Sequence, residues 1–280
     1  MLKLLKNIII RIITNFSRNL SKTRVGNIFC EAMINDSMRR VECVNYHNLE
    51  MYFTVPNQLN KYRINTFSTK EPETLDWIDS LPESCVLWDI GANIGLYSIY
   101  AAIKRNCKVF SFEPSVFNLE LLARNVFLND LQNRITILPF ALSDKMNISK
   151  IHITSTEWGG ACSTFGKNFG WDGKPIQEVF SFKTFGTSMD QAVSILNIPL
   201  PDFIKMDVDG IEHYILMGGE IVLKSIKGVL IEINDDFSDQ AFQVYNILHK
   251  SGFSLFDKKH GEWSDNTPYK YCYNQIWVRS

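Results

Sequence analysis

The sequence has no surplus of charge of either sign. Its 280 residues include 29 lysines and arginines against 30 aspartates and glutamates, which gives a net charge of −1. A surface that binds nucleic acid usually needs a basic excess to neutralise phosphates. We therefore expect no nucleic-acid partner and a small-molecule substrate instead.

Long apolar runs and paired cysteines are also missing. The apolar run between Lys6 and Arg11 is far shorter than the ~20 residues that a membrane-spanning helix requires. No small-residue cleavage site of a signal peptide follows it. The six cysteines are scattered and form no C-x-x-C pair, which is typical of a reducing compartment. These absences predict a cytoplasmic protein.

The N-terminal part of the chain divides into two predicted segments. Residues 1–24 form an amphipathic helix with basic residues among its apolar ones. We favour the interpretation that it packs on the domain or on a second subunit. Packing on a second subunit would make the protein a homo-oligomer. Peripheral contact with a membrane surface is the alternative, since basic amphipathic helices also lie there. Residues 25–80 form an N-terminal extension that packs on the core.

The most informative feature that is present is an apolar strand followed by a glycine turn at residues 86–95. Glycine allows a tight turn and the close approach of a ligand, and the following helix points its positive end into the same gap. The next strand ends on an acid at about the distance expected for a residue that binds ribose hydroxyls. The candidate nucleoside-binding residues are Asp89, Gly91, Asn93, Gly95 and Glu113.

The spacing of this turn distinguishes between two nucleoside cofactors. A dinucleotide site is typically G-x-G-x-x-G, with the helix terminus free to hold a pyrophosphate. Here Asp89 stands two residues before Gly91, where a carboxylate would repel a pyrophosphate but suits the ammonium of a methionine group. The pattern resembles the first motif of class I S-adenosylmethionine-dependent methyltransferases. An NAD-dependent oxidoreductase and a non-catalytic Rossmann-like scaffold are the alternatives.

Further blocks along the chain resemble the FkbM-type methyltransferase family, in that family's order. They are Phe112–Ser115, Asn125, Asn129, Ala141–Asp144 and Phe203–Glu212. The resemblance implies an S-adenosylmethionine-dependent O-methyltransferase that acts on a hydroxyl of a sugar, glycan or polyketide-like molecule. It also implies that Asp144, beside Ser143, accepts a hydrogen bond from the adenine amino group. One departure is that Asp209 stands where the family usually has glutamate.

Alternating strands and helices predict an α/β, Rossmann-like fold. We expect a seven-stranded, mostly parallel sheet with helices on both faces and an antiparallel C-terminal strand pair. The methyltransferase domain covers residues 81–280, with one helix predicted from about Glu212 to Leu223. An insertion at residues 145–187 is predicted to form a hairpin. Its aromatic residues either close over a sugar as a lid or pack as a surface hairpin, namely Trp158, Phe165 and Trp171.

The predicted chemistry lies at the carboxyl ends of the strands, where open α/β sheets bind ligands. We expect Asp89 or Asp207 to face the methionine ammonium. A sugar hydroxyl needs a base to remove its proton, and the candidates are Asp209, Glu232 and His213. The carboxylates would also suit a divalent ion such as Mg²⁺, which we do not favour.

Overall fold

The computed structural model describes residues 2–279 of the chain. The helices in this range are α1 (Leu2–Leu20), α2 (Arg24–Met38), α3 (Gln58–Asn65), α4 (Pro72–Ser80), α5 (Leu96–Lys104), α6 (Val116–Leu128), α7 (Met189–Ser194), α8 (Glu212–Met217), α9 (Glu220–Ser225) and α10 (Ser238–Lys250), with a 3₁₀ turn at Glu262–Asn266. The strands are β1 (Val41–Tyr46), β2 (Leu49–Thr54), β3 (Val86–Ile90), β4 (Lys108–Phe112), β5 (Ile135–Leu138), β6 (Ala141–Leu142), β7 (Asn147–Ile153), β8 (Thr164–Phe165), β9 (Phe180–Thr187), β10 (Phe203–Met206), β11 (Gly228–Asn234), β12 (Phe253–Lys259) and β13 (Cys272–Arg279).

A central sheet of seven strands organises the described residues, in the order β12-β13-β11-β10-β3-β4-β5. The neighbours from β11 to β5 pair in parallel, whereas β13 pairs antiparallel with both β11 and β12. The chain order reverses between β3 and β10, and this is where an open α/β sheet leaves a crevice for ligands. The predicted fold class is confirmed.

Side-chain alternation along the strands sends apolar residues to both faces of this sheet. Trp88 and Ile90 of β3 pack in one core cluster, and Leu87 packs in the other. Asp89 shares the face of Leu87, and in the parallel register it lies opposite Lys205 of β10. A charged pair is therefore built into a core strand by register alone.

One predicted helix is divided in two. The segment from Glu212 to Leu223 forms α8 and α9, which are separated by Gly218 and Gly219. Two consecutive glycines favour a break because glycine has the lowest helix propensity after proline. A Cβ at Gly218 would also lie 2.5 Å from the carbonyl oxygen of Ser143, so the break lets the chain pass close to the end of β6.

The insertion forms a small sheet of its own, in the order β6-β9-β7-β8. Strands β7 and β9 make the predicted antiparallel hairpin, with Ile151 opposite Phe182. Phe165 of β8 is buried in the core cluster that also contains Ile151. The hairpin is therefore anchored from below and leaves the long loop at residues 154–163 above the sheet edge.

The extension packs on the core from β2 onwards. Met51 and Phe53 are fully buried, and Leu75 and Ile78 of α4 lie in the same cluster. Asn125 of α6 and Asn129, directly after this helix, both form hydrogen bonds with the backbone of β2. Asn125 accepts a hydrogen bond from Thr54 N (2.8 Å) and donates one to the carbonyl of Ile94 (2.9 Å).

The first two helices leave large apolar side chains uncovered by the domain, and packing of residues 1–24 on a second subunit stays a prediction. Side chains along α1 are exposed by 48–67%, as are those of α2 by 48–78%; they include Ile8, Ile12, Phe16, Val25 and Met33. Helix α1 contacts α2 instead of the core. Among the described helices, none is both long and apolar enough to cross a membrane.

Asn125→Ala should lower the free energy of unfolding by about 2–6 kcal/mol, because two buried backbone groups lose their partner at about 1–3 kcal/mol each. Urea unfolding measures this change. Asn129→Ala is the matched control, since Asn129 makes the same kind of contact with Tyr52 at an exposed site. Equal losses in the two variants would contradict the special role of Asn125.

Candidate functional site

The glycine turn after β3 touches the end of β10. Gly91 has φ +84°, and a Cβ there would lie 1.9 Å from the carbonyl oxygen of Asp207. Glycine is therefore required both by the backbone conformation and by the lack of space. The contact brings the ends of β3 and β10 together at the crevice.

A cavity of about 70 Å³ lies beside this turn. Glu113, at the end of β4, contributes a buried carboxylate that accepts hydrogen bonds from Asn93 N (2.9 Å) and Ser115 N (2.7 Å). Burial raises the pKa of Glu113 to about 7, although the N–H donors oppose the shift. The rest of the wall is mainly apolar and includes Phe112, Pro114, Phe140, Leu142 and Ile211.

Two asparagines at this cavity use only the nitrogen of their side-chain amide for hydrogen bonding. The side-chain nitrogens of Asn93 and Asn118 donate to the carbonyl of Gly160 at 2.9 and 3.1 Å. Their Oδ1 atoms are buried and have no hydrogen-bond partner among the described residues. Buried polar atoms of this kind are normally paired, so a ligand with donor groups would complete them.

The loop at residues 154–163 closes over the smaller cavity and is fastened by α3. Side chains of Asn57 and Asn60 donate to the carbonyl of Trp158, and the guanidinium of Arg63 donates to that of Gly159 at 2.6 and 3.1 Å. The loop is thus held through two backbone carbonyl groups, which accept hydrogen bonds from three side chains of α3 and its N-cap.

A larger cavity of about 270 Å³ lies on the other side of the loop. Its aromatic wall comes mainly from the extension and from the segment before β13, and comprises Tyr62, Phe67, Tyr97, Trp263 and Tyr269. Its charged residues are Arg63, Lys70, Glu71, Lys205, Asp207, Asp209 and Glu232. Both cavities are lined by Gly91, Asn93, Ala161, Asp207 and Asp209, so they adjoin at these residues.

Lys205 is the most buried charge of the larger cavity. Its Nζ lies 3.4 Å from Asp89 Oδ1 and 3.8 Å from Asp207 Oδ2. Burial alone would lower the pKa of the ammonium, but the nearby carboxylates outweigh burial and raise it. Lys205 therefore stays charged and balances the acids at the strand ends.

A second cation, Lys70, comes from the extension. It pairs with the buried carboxylate of Glu71, which also accepts a hydrogen bond from Tyr97 Oη at 2.8 Å. The Lys70 ammonium lies 5.0 Å above the Trp263 ring. Burial would raise the pKa of Glu71, but the two neighbouring lysines hold it below its ordinary value. Glu71 is thus ionised and bound within the cavity wall.

Asp209 and Glu232 both line the larger cavity. Burial, followed by repulsion from Asp207, raises the pKa of Asp209 to about 6, and the Cys162 N–H (2.7 Å from Oδ2) opposes this shift. Burial and the charges of Asp207 and Glu71 raise the pKa of Glu232 well above its ordinary value. At neutral pH, Asp209 is then mainly ionised, whereas the raised pKa of Glu232 favours its protonated form more than in a free carboxyl group.

Asp209 has a left-handed backbone conformation, with φ +59°. Aspartate tolerates this region better than longer side chains without a local hydrogen-bonding group. Glu212 holds the loop, since its carboxylate accepts from the backbone N–H groups of Val208 and Gly210. Glu212 therefore stabilises the loop that carries Asp209.

Comparison with known proteins identifies the chain. The model of the methyltransferase FkbM domain matches residues 89–255, which is more than half of the chain. The protein belongs to the FkbM methyltransferase family. Its relatives include the hexuronic acid methyltransferase AglP of Haloferax volcanii, 27% identical over 184 residues that cover 65% of this chain and 70% of that protein.

Another relative of this FkbM-family protein is the methyltransferase sdnD of Sordaria araneosa, 39% identical over 67 residues (24% of this chain and 26% of that one). Among solved structures, the precorrin-6y C5,15-methyltransferase of Geobacter metallireducens aligns with a TM-score of 0.43 and 16% identity, covering 75% of this chain and 87% of that one. TYW2 of Pyrococcus horikoshii, in complex with MeSAdo, aligns with a TM-score of 0.45 and 10% identity, covering 86% and 72%. Similarity at this level assigns no residue of the site.

Five predicted site residues of this FkbM-family protein do not line either cavity, namely Asp89, Gly95, Ser143, Asp144 and His213. Asp89 is buried beneath the sheet edge, where its carboxylate accepts from Ser98 Oγ (2.6 Å) and pairs with Lys205. Ser143 donates to Asp144 (3.1 Å), and the carboxylate of Asp144 is exposed beyond Leu142. The roles assigned to Ser143 and Asp144 stay predictions.

His213 is another of the five, and its surroundings are those of a core residue. Its ring is buried and packs against Tyr214 and Phe237. Burial lowers the pKa of His213 to about 4. The geometry does not support the prediction that His213 is the base, because its side chain is buried in the core and lines neither cavity.

The aromatic residues of the insertion also differ in their positions. Phe165 is a core residue that lines the smaller cavity but not the larger one. Trp171 packs against Tyr269 with ring centroids 4.6 Å apart. Of the three aromatic residues, Trp158 alone lies on the loop at residues 154–163, and the role of this loop as a lid stays a prediction.

Sequence reasoning missed the residues that the extension gives to the larger cavity, chiefly Arg63, Lys70 and Glu71. No motif marks them. Lys205 could have been found, because a lysine within an apolar strand must be paired if it is buried. Among residues 2–279, no three histidine, cysteine or acidic side chains form a group that could hold a metal ion.

His213→Phe should remove a pH-dependent part of the stability. The folded-state pKa of His213 is depressed from 6.5 to about 4, so its contribution is present above pH 6.5 and is lost as the pH falls towards 4. Between pH 7.5 and 4.5 the wild type should lose about 2–3 kcal/mol more than the variant. Urea unfolding at both values checks this.

The control is His249→Phe, since His249 is exposed on α10 and should leave the pH dependence unchanged. If His213→Phe and the wild type lose stability in parallel, the proposed burial of a neutral imidazole is wrong.

Proposed function

We propose that this protein is an S-adenosylmethionine-dependent O-methyltransferase that acts on a hydroxyl of a sugar, glycan or polyketide-like molecule. The observation that carries the proposal is the meeting of two cavities at Asp207 and Asp209. A donor on one side and an acceptor on the other would be aligned there, which is the main requirement of an in-line transfer.

The smaller cavity has groups that fit the nucleoside of the donor. Glu113 would accept from the ribose hydroxyls, and the unpaired oxygens of Asn93 and Asn118 offer two further acceptors. Asp207 is better placed than Asp89 for the methionine ammonium, because Asp207 lines both cavities and Asp89 lines neither. The family resemblance implies that Asp144 accepts a hydrogen bond from the adenine amino group.

Donor binding would require the loop around Gly160 to move. A cavity of about 70 Å³ is well below the roughly 300–1,000 Å³ of ordinary ligand sites. The loop is fastened by a few backbone hydrogen bonds from Asn60, Arg63, Asn93 and Asn118, which a ligand could replace. This supports the interpretation of the loop as a lid.

When bound, S-adenosylmethionine supplies a methyl group on a positively charged sulfur. The protein must then orient an acceptor hydroxyl and remove its proton. Asp209 suits this task because its pKa of about 6 leaves it ionised near neutral pH while it remains basic. Glu232 lines the same cavity, and its raised pKa favours a protonated form that would donate a hydrogen bond to the acceptor. A divalent ion shared by these carboxylates remains the less favoured alternative.

The larger cavity suits a polyhydroxylated acceptor. Its carboxylates can accept hydrogen bonds from hydroxyls, and the faces of Trp263 and Tyr269 offer apolar surface to the edges of a ring. The name of the Haloferax volcanii relative, a hexuronic acid methyltransferase, supports a sugar. Arg63 and Lys70 are the cations that could meet an acidic group on it.

S-adenosylhomocysteine should bind and raise the melting temperature, since a ligand of the native state stabilises it. Glu113→Ala should weaken its affinity about 10–100-fold, because a charged acceptor hydrogen bond contributes about 1.5–3 kcal/mol. Isothermal calorimetry measures the affinity separately from any change in stability.

Glu120→Ala is the control, because Glu120 is an exposed carboxylate on the same part of the chain and should leave the affinity unchanged. Binding of NAD⁺ with none of S-adenosylhomocysteine would overturn the cofactor assignment in favour of the oxidoreductase. Binding of neither would favour the non-catalytic scaffold.

Asp209→Asn should lower kcat by a factor of about 10²–10⁴, the usual contribution of a general base, while donor affinity holds. In the wild type, kcat/KM should rise with pH through about 6, as Asp209 loses its proton, and the variant should lack this rise. Glu232→Gln can still donate a hydrogen bond and should lose less than Asp209→Asn.

A panel of sugar and small-molecule hydroxyl acceptors provides the assay for both variants. Near-normal turnover in Asp209→Asn would exclude Asp209 as the base. A dependence on added Mg²⁺ that EDTA abolishes would establish the metal alternative.

A further inference from the structure

The N-terminal hairpin, defined as residues 2–38, exposes an apolar surface that the domain does not cover. On α1 the exposed fractions are 48% for Ile9, 63% for Ile12, 60% for Ile13 and 67% for Phe16. These residues follow helical spacing and share one face. Apolar side chains exposed in such a row mark an interaction surface.

Helix α2 folds back along α1 and adds to this surface. Gly26 lies against the end of α1, where a Cβ would be 1.9 Å from the carbonyl oxygen of Leu20. Ser17 Oγ and Cys30 Sγ are 3.6 Å apart across the two helices. The hairpin contact uses small residues, so the large apolar side chains of α2 remain outside, including Val25, Ile28, Phe29 and Ile34.

The charge of this part of the chain is opposite to that of the rest. Residues 2–38 contain six basic and two acidic residues, a net charge of +4, whereas the rest of the chain contains 23 basic and 28 acidic residues, a net charge of −5. On α1 the side opposite the apolar face carries Asn7, Arg11, Thr14 and Arg18, which recur at helical spacing. The hairpin thus combines an apolar face with a cationic one.

We propose that the N-terminal hairpin binds the surface of an anionic phospholipid bilayer. A helix with this pattern lies in the plane of the interface, with its apolar face among the acyl chains and its basic residues at the headgroups. A bilayer supplies apolar cover and negative charge together. A second copy of the hairpin would cover the apolar face but would bring two hairpins of net charge +4 together, which opposes association.

Co-sedimentation of the full-length protein with vesicles tests the proposal. Binding to vesicles of phosphatidylcholine with a quarter phosphatidylserine should exceed binding to pure phosphatidylcholine about tenfold or more, since each basic residue near an anionic surface adds to the affinity. Ile12→Glu with Phe16→Glu should abolish binding to both. Arg11→Glu with Arg18→Glu should abolish the preference for phosphatidylserine.

The matched control is Lys150→Glu with Lys183→Glu, which changes the net charge equally at two exposed lysines on β7 and β9 and should retain binding. Circular dichroism and thermal unfolding verify that each variant is folded. The proposal is overturned if the wild type does not bind, if phosphatidylserine has no effect, or if the control loses binding equally. It is also overturned if size-exclusion chromatography shows an oligomer that Ile12→Glu with Phe16→Glu dissociates while no vesicle binding occurs.

Discussion

The buried ammonium of Lys205 is the charge on which the site depends. Four carboxylates converge at the carboxyl ends of β3, β10 and β11, namely Glu71, Asp207, Asp209 and Glu232, and they repel one another where little water screens them. Lys205 pairs directly with Asp89 below and with Asp207 above. Removing one member of a buried pair leaves an uncompensated charge and is strongly destabilising. Asp89 thus has a definite structural task, because it fixes Lys205 and, through Ser98, the first turns of α5.

The same balance of charge gives neighbouring carboxylates different protonation states. Glu71 is held ionised by Lys70 and Lys205, whereas burial and the neighbouring acids raise the pKa of Glu232. Asp209 lies between these extremes, with a pKa of about 6. A set of acids with separated pKa values can provide both a base and a hydrogen-bond donor at neutral pH. The arrangement supports acid–base chemistry in the larger cavity without further groups.

The extension before the sheet, residues 25–80, contributes side chains to the candidate site. Helix α3 fastens the lid loop through Asn60 and Arg63, and the segment before α4 supplies Lys70 and Glu71. The extension is itself held on the core by Asn125, which joins β2 to the glycine turn through Thr54 and Ile94. Asn125 belongs to a block that the sequence already singled out, and the structure gives its physical reason.

The sequence alone determined the sheet, the glycine turn and the acids at the strand ends, because period-two alternation, glycine conformation and strand order are local properties of the chain. Only the tertiary structure decided which of these acids face a cavity. Asp89 and Asp207 both stand at strand ends. Asp89 lies within β3 opposite Lys205 and is buried against it, whereas Asp207 lies just beyond the end of β10, at the junction of the cavities. His213 follows the family motif closely in sequence, yet the helix turns its ring into the core. Arg63, Lys70 and Glu71 come from a part of the chain more than 130 residues before Lys205, and no local pattern can predict a contact that folding alone creates.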